Sequence, residues 1–128
     1  MGYIGDSITD PNCRGNKIKK YWDFLQEWLG ITPYVYGVSG RQWNDVPRQA
    51  ERLKKEHGGE VDAILEAGNV WALPVIDFNS VSGLNPMIEE QLIYFYDSGS
   101  DRLHPGTKGQ ERMARTLMYQ LLALPASF

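Results

Sequence analysis

The 128-residue chain has a single cysteine, Cys13, and only two histidines, and its 13 lysines and arginines do not outnumber its 16 aspartates and glutamates. One cysteine excludes an internal disulfide and cannot build a structural zinc site, so no metal or redox framework is expected, and the cellular compartment is left open. With a net charge of −3 and basic residues spread along the helical segments, the chain lacks the electrostatic footprint of a nucleic-acid binder. No run approaches the roughly eighteen apolar residues that a membrane helix needs. The start, MGYIGDS, has neither the basic end nor the apolar stretch of a signal peptide. Repeats and low-complexity tracts are also missing. What remains is ordinary composition, 42% hydrophobic, 12% aromatic and 23% charged, which predicts one globular domain over residues 1–128. A chain of this size buries roughly two thirds of its unfolded surface and holds a core without staples.

The hydrophobic pattern alternates between short strands and amphipathic helices. Tyr3-Ile4 is an apolar run meeting Gly5-Asp6-Ser7, which predicts a buried strand ending in a tight turn. From Ile18 the apolar positions Ile18, Tyr21, Trp22, Leu25, Trp28 and Leu29 line one helical face, and Gly30 ends it. Pro33 to Tyr36 reads as a second strand that runs into Gly37-Val38-Ser39-Gly40. A polar helix from about Val46 to His57 stops at Gly58-Gly59, and Val61 to Leu65 is a third, continuously apolar strand. The order β, α, β, α, β predicts an open α/β sheet.

The pattern then breaks. Glu66 to Leu73 separates Leu65 from Pro74-Val75-Ile76-Asp77-Phe78, a fourth strand by composition, yet a parallel crossover needs about a dozen residues. Either the two strands form an antiparallel hairpin, or a central segment is missing between Leu65 and Glu66. Glu66 to Trp71 reads as the tail of a helix with no helix in front of it, which favours the second alternative. Asn79 to Pro86 is loop-like, Met87 to Tyr96 is apolar and aromatic but too short to type, and Asp97-Ser98-Gly99-Ser100 is a polar loop leading to Asp101-Arg102-Leu103-His104-Pro105. A last helix is expected from about Thr107 to Ala123, with Met113, Leu117, Leu121 and Leu124 on one stripe.

Three places combine reactive groups with special backbone. Ser7, in Gly5-Asp6-Ser7-Ile8-Thr9, stands at the carboxyl end of a strand, where open α/β sheets collect ligands, although Asp6 and Ser7 also fit a plain helix cap. In Asp101-x-x-His104-Pro105, a carboxylate three residues from a histidine can hold one ring nitrogen as donor, so that the other accepts a proton. The competing reading is a histidine that packs or caps at the start of the last helix, with Pro105 at the first helical position. His57, at a helix end in Glu56-His57-Gly58, is expected to be solvated there. Gly40, in the loop after the second strand, lets a backbone N–H approach an anionic oxygen; by itself that loop is only a turn.

Taken in order, GDSIT at Gly5 to Thr9, the glycine loop ending at Gly40, and DRLHP at Asp101 to Pro105 resemble the first, second and last sequence blocks of the SGNH hydrolases, the GDSL-type lipases and esterases. The resemblance spans the chain in outline. It implies a three-layer α/β/α, flavodoxin-like parallel sheet and hydrolysis of carboxylic esters with no metal or cofactor. It implies further that Ser7 is the nucleophile, His104 the base and Asp101 the residue orienting it, with the N–H groups of Ser7 and Gly40 as oxyanion donors and Asp6 as a turn residue. The implied partner is a small-molecule, carbohydrate or lipid ester, with short acyl groups such as O-acetyl on carbohydrate as the first expectation. The aromatic stretch Leu92 to Tyr96 reads as core packing first and as a wall of an acyl or sugar pocket second.

One block departs from the pattern. The family carries Gly-x-Asn-Asp just after the third strand, and nothing after Leu65 matches it, since Gly68-Asn69 has the wrong spacing. Crossover geometry and the missing block therefore point to the same gap, and a core exposed there would favour a dimer that fills it. The rival readings are a catalytically impaired SGNH-like binding module, for which that loss is expected, and a flavodoxin-like phosphate binder, for which the Asp101/His104 pair has no use.

Overall fold

The computed structural model describes residues 1–15, 17–58, 64–65 and 82–123. Over these residues the chain is mixed α/β, with a small parallel sheet, helices and no closed barrel. It divides into two compact units, Met1–Ile18 with Gln26–Val75, and Lys19–Leu25 with Ile76–Phe128.

The first unit is built on three parallel strands in the order β2-β1-β3, namely β1 (Gly2–Tyr3), β2 (Tyr34–Val35) and β3 (Ile64–Leu65). Gly2 is in register with Tyr34 on one side and Ile64 on the other, and Tyr3 with Val35 and Leu65. The central place of β1 agrees with the burial of Gly2, Tyr3, Ile4 and Gly5, the continuous burial expected of a parallel strand covered on both faces. The ladder carries on past β2, because the Tyr36 N–H donates to Tyr3 O at 2.8 Å and the Val38 N–H to Gly5 O at 3.1 Å. Two loops, after β1 and after β2, thus leave the sheet at the same end.

Helix α2 (Val46–His57) closes this unit, with Pro47 in its first turn, where the missing N–H costs nothing, and Gly58 as C-cap. Its apolar face brings Leu53, Val46 and Ala50 against Ile4, Tyr36 and Tyr34. Gln49 lies on that same face and is buried. Its side-chain amide donates to Gly5 O at 2.9 Å, and its Oε1 accepts the Gly5 N–H. Both polar groups of Gly5, two residues beyond β1, are therefore reached by one side chain, as buried backbone requires.

Helix α1 (Tyr21–Leu29) is shared between the units. It starts later than Ile18 because Asp23 Oδ2 accepts the Lys20 N–H at 2.9 Å, the back half of a capping box. Gly30, with φ +67, ends it by donating its N–H to Gln26 O at 2.9 Å.

In the second unit, Met87 to Tyr96 resolves into a 3-10 segment, Glu89–Tyr94, and a strand, β4 (Phe95–Tyr96). A strand β5 (Asp101–Pro105) pairs with it antiparallel, and α3 (Thr107–Leu122) packs on the 3-10 segment and both strands. The buried stripe of α3 is Gly109, Gln110, Met113, Ala114 and Leu117. Gln110 repeats the device of Gln49: its Oε1 accepts the Tyr21 N–H at 3.1 Å, supplying a first-turn donor of α1 with a partner. Leu124 and the predicted strand Pro74 to Phe78 lie outside the described residues, as do the helix tail at Glu66 to Trp71 and the proposed gap after Leu65.

Candidate functional site

Ser7 and Gly40 belong to the first unit, and Asp101 and His104 to the second. Ser7 is half-buried in the turn that follows β1. The expectation of a helix start there is corrected: Ser7 opens a series of turns, and the next α-helix begins only at Tyr21. No helix dipole acts on Ser7 through this segment. The turn is made instead by Asp6. Its carbonyl accepts the N–H groups of Thr9 and Asp10 at 3.2 and 2.9 Å, and its Oδ1 accepts that of Ile8 at 3.0 Å. Such a carboxylate mimics a backbone turn, which is the structural part expected of Asp6.

Asp10 ties this turn to the loop after β2. It is buried, its Oδ2 accepts both the backbone N–H of Ser39 at 2.8 Å and the Ser39 hydroxyl at 2.6 Å, and its Oδ1 accepts the Asn12 N–H at 2.8 Å. Gly37 allows the approach, since a Cβ at that position would stand 2.6 Å from Thr9 Cβ and 3.1 Å from the Thr9 carbonyl carbon. Gly40, with φ +77, lies in the left-handed region that favours glycine, and no atom stands within 4 Å of where its Cβ would be. Its backbone N–H makes no hydrogen bond among the described residues.

Sequence reasoning passed over Asp10 and Gln49. Gln49 was legible as a polar residue four before Leu53 on an apolar face. Asp10 carried no such mark, because its partner is 29 residues away.

The Asp101-to-Pro105 motif is a strand with a wide irregularity. Phe95 pairs with Pro105 and the next residue, Tyr96, with Asp101, so Arg102, Leu103 and His104 stand out of register on β5. Asp101 organises the last two. Its Oδ1 accepts the N–H groups of Leu103 and His104 at 3.0 and 3.1 Å, and its Oδ2 lies 2.9 Å from His104 Nδ1. The side chains of His104 and Asp101 are 15% and 16% exposed, buried enough to hold one geometry and open enough to be reached. With Nδ1 as the donor to this carboxylate, the lone pair of the neutral ring falls on Nε2, the tautomer a general base requires.

The competing reading of His104 as a helix-start residue is corrected by the same geometry: Pro105 pairs in the strand, Gly106 is the N-cap, and α3 begins at Thr107. Arg102 steadies the segment from outside by donating to Pro86 O at 3.2 Å and pairing with Glu89 at 3.5 Å.

The other histidine, expected to be solvated, is only partly so. His57, the last residue of α2, is half-buried, its ring stacked on Tyr34 with centroids 4.0 Å apart and edge-on to Tyr36 at 6.4 Å. Beside it, Glu56 accepts the Tyr36 hydroxyl and, at 2.9 Å, Arg52 Nε. Burial, with the Glu56 hydrogen bond second, pushes the Tyr36 phenol up to about 12. The same hydrogen bonds, from Tyr36 and then Arg52, lower the Glu56 carboxyl.

Among the described residues no group of three His, Cys, Asp or Glu side chains could hold a metal ion, and no helix is long and apolar enough to cross a membrane. Compared with protein-family models and with curated proteins, the chain matches none.

Proposed function

We propose that the chain is a serine ester hydrolase that cleaves a carboxylic ester, with a short acyl group on a carbohydrate or lipid alcohol as the first candidate, on a three-layer α/β/α, flavodoxin-like sheet. The observation that carries the reading is the Asp101–His104 pair, in which one carboxylate fixes both the backbone of the bulge and the tautomer of the imidazole. A histidine used only for packing has no need of a half-buried carboxylate on Nδ1.

In the proposed reaction His104 Nε2 takes the Ser7 proton as Ser7 Oγ attacks the ester carbonyl. Asp101 stabilises the imidazolium, and the N–H groups of Ser7 and Gly40 receive the oxyanion. Collapse expels the alcohol, which takes the proton back from His104. Water, deprotonated by the same base, then releases the acid and restores Ser7. No metal or cofactor enters these steps. The N–H of Gly40, which makes no hydrogen bond among the described residues, supports its place among the donors. Lacking the third block's asparagine as a further donor, turnover is expected to be lower by about a hundredfold to a thousandfold.

The test is the intact mass after exposure to a fluorophosphonate, which reacts with activated serines. A single adduct that vanishes in Ser7→Ala and in His104→Ala is the expected result. No adduct on the wild-type protein would refute the reading and leave the impaired binding module in its place. Equal loss in His57→Ala would move the base to the other histidine.

A further inference from the structure

The first unit has a cleft of about 170 Å³ lined by Tyr36, Val38, Arg41, Asp45, Arg48, Gln49 and Arg52. Its floor is fixed, because Gln49 is buried and bonded twice to Gly5. Three guanidiniums line it, from α2 and from the loop before it. Two of them are answered within the protein: Arg41 pairs with Asp45 at 3.4 Å, and Arg52 with Glu56 at 2.9 Å while lying over the Tyr36 ring at 5.1 Å. Arg48 has no carboxylate partner among the described residues. One unit of positive charge is left, in a concave site whose neighbours are already oriented. Val38, on the cleft wall, is two residues before Gly40 in the same loop.

We propose that this cleft is a subsite for a carboxylate on the alcohol portion of the substrate, held by Arg48 with Arg41 and Arg52 at its sides. The proposal rests on the ester hydrolase reading and narrows it to acidic esters. A carboxylate fits better than a phosphate dianion, because a single guanidinium is unanswered and its planar fork matches two carboxylate oxygens. Asp45 works as a specificity element, since it repels an anion that does not approach from the Arg48 side.

The experiment compares kcat/KM for 4-acetoxybenzoate and for its neutral methyl ester, in the wild-type protein and in Arg48→Gln. The ratio of the two is expected to fall about tenfold in the variant, the loss of one charged hydrogen bond at an accessible site. It should also fall in the wild-type protein as salt is raised. A ratio unchanged within about twofold would overturn the subsite while leaving the hydrolase intact. If neither ester is cleaved, the hydrolase reading fails on its own, and the cleft is judged by titration with benzoate and methyl benzoate. Amide shifts at Val38 and Gln49 with benzoate alone, weakened in Arg48→Gln, would uphold it, and no shift would overturn it.

Discussion

Replacing Asp10 by asparagine changes one oxygen to an NH₂ at nearly constant volume, and the structure makes that change expensive. Three donors converge on the two carboxylate oxygens: the Ser39 N–H and hydroxyl on Oδ2, and the Asn12 N–H on Oδ1. An amide has one acceptor oxygen. Turned toward Ser39, it points its NH₂ at the Asn12 N–H; turned toward Asn12, it points the NH₂ at the Ser39 N–H. Either way one donor loses its acceptor, and the contacts that survive lose their charge assistance. A hydrogen bond to a charged group is worth about 1.5–3 kcal/mol and a neutral one about 1 kcal/mol, so Asp10→Asn should cost about 2–3 kcal/mol. Urea unfolding at neutral pH measures this directly, and at this chain length the melting temperature should drop by roughly 3–5 °C for each kcal/mol. Because Ser39 Oγ meets only Oδ2 of this carboxylate, Ser39→Ala combined with Asp10→Asn should show about 1 kcal/mol of coupling. A loss below about 0.5 kcal/mol, or strict additivity, would refute the argument that this carboxylate holds the two loops together.

Three further outcomes follow from the geometry. Asp101→Asn keeps an oxygen for the Leu103 and His104 N–H groups, at a cost of about 1–2 kcal/mol in lost charge assistance, but turns an NH₂ toward Nδ1, which moves the ring proton to Nε2; ester turnover should fall about a thousandfold or more in protein that is still folded, and retention of activity within tenfold would refute the role of Asp101. The Tyr36 phenol is raised by folding, so the stability it contributes is fully present below about pH 10, its unfolded value, and is lost as the pH rises through its folded value of about 12. Tyr36→Phe should flatten the alkaline loss of stability, and an unchanged slope in urea titrations between those pH values would argue against it. Gly37→Ala drives a methyl group into Thr9 and should destabilise by about 1–3 kcal/mol; a neutral effect in the same titration would show that the loop yields.

The helices were the most legible part of the chain. Helix α2 runs from Val46 to His57, where apolar spacing and Gly58 place it, because both of its ends are set by local chemistry. The start of α1 was less visible: Ile18 continues the apolar face, and only the Asp23 bond to the Lys20 N–H shows that the helix begins at Tyr21. Polar residues in the interior were the larger omission. Gln49 and Gln110 sit at helical spacing from Leu53 and from Met113 and Leu117, where a residue-type pattern expects carbon, and each is there for a backbone group it satisfies. The spacing of Asp101 and His104 indicated their pairing correctly, since three residues of chain bring them together. It gave no sign that β4 holds the segment as a strand, because strand partners are chosen across the fold.

The two polar knots differ in how far the chain must travel to tie them. Asp101 reaches His104 within a single turn of backbone, whereas Asp10 must find Ser39 across 29 residues. Closure entropy is small for the first and must be recovered from the whole parallel sheet for the second. During folding the Asp101–His104 contact can therefore form on the timescale of a local turn, while the loops around Ser7 and Gly40 wait for β1 and β2 to meet. Under rising denaturant the order reverses: the first unit should slacken while the imidazole is still seated on its carboxylate. Damage short of unfolding would then show first in the loops of Ser7 and Gly40 and last in the Asp101–His104 contact.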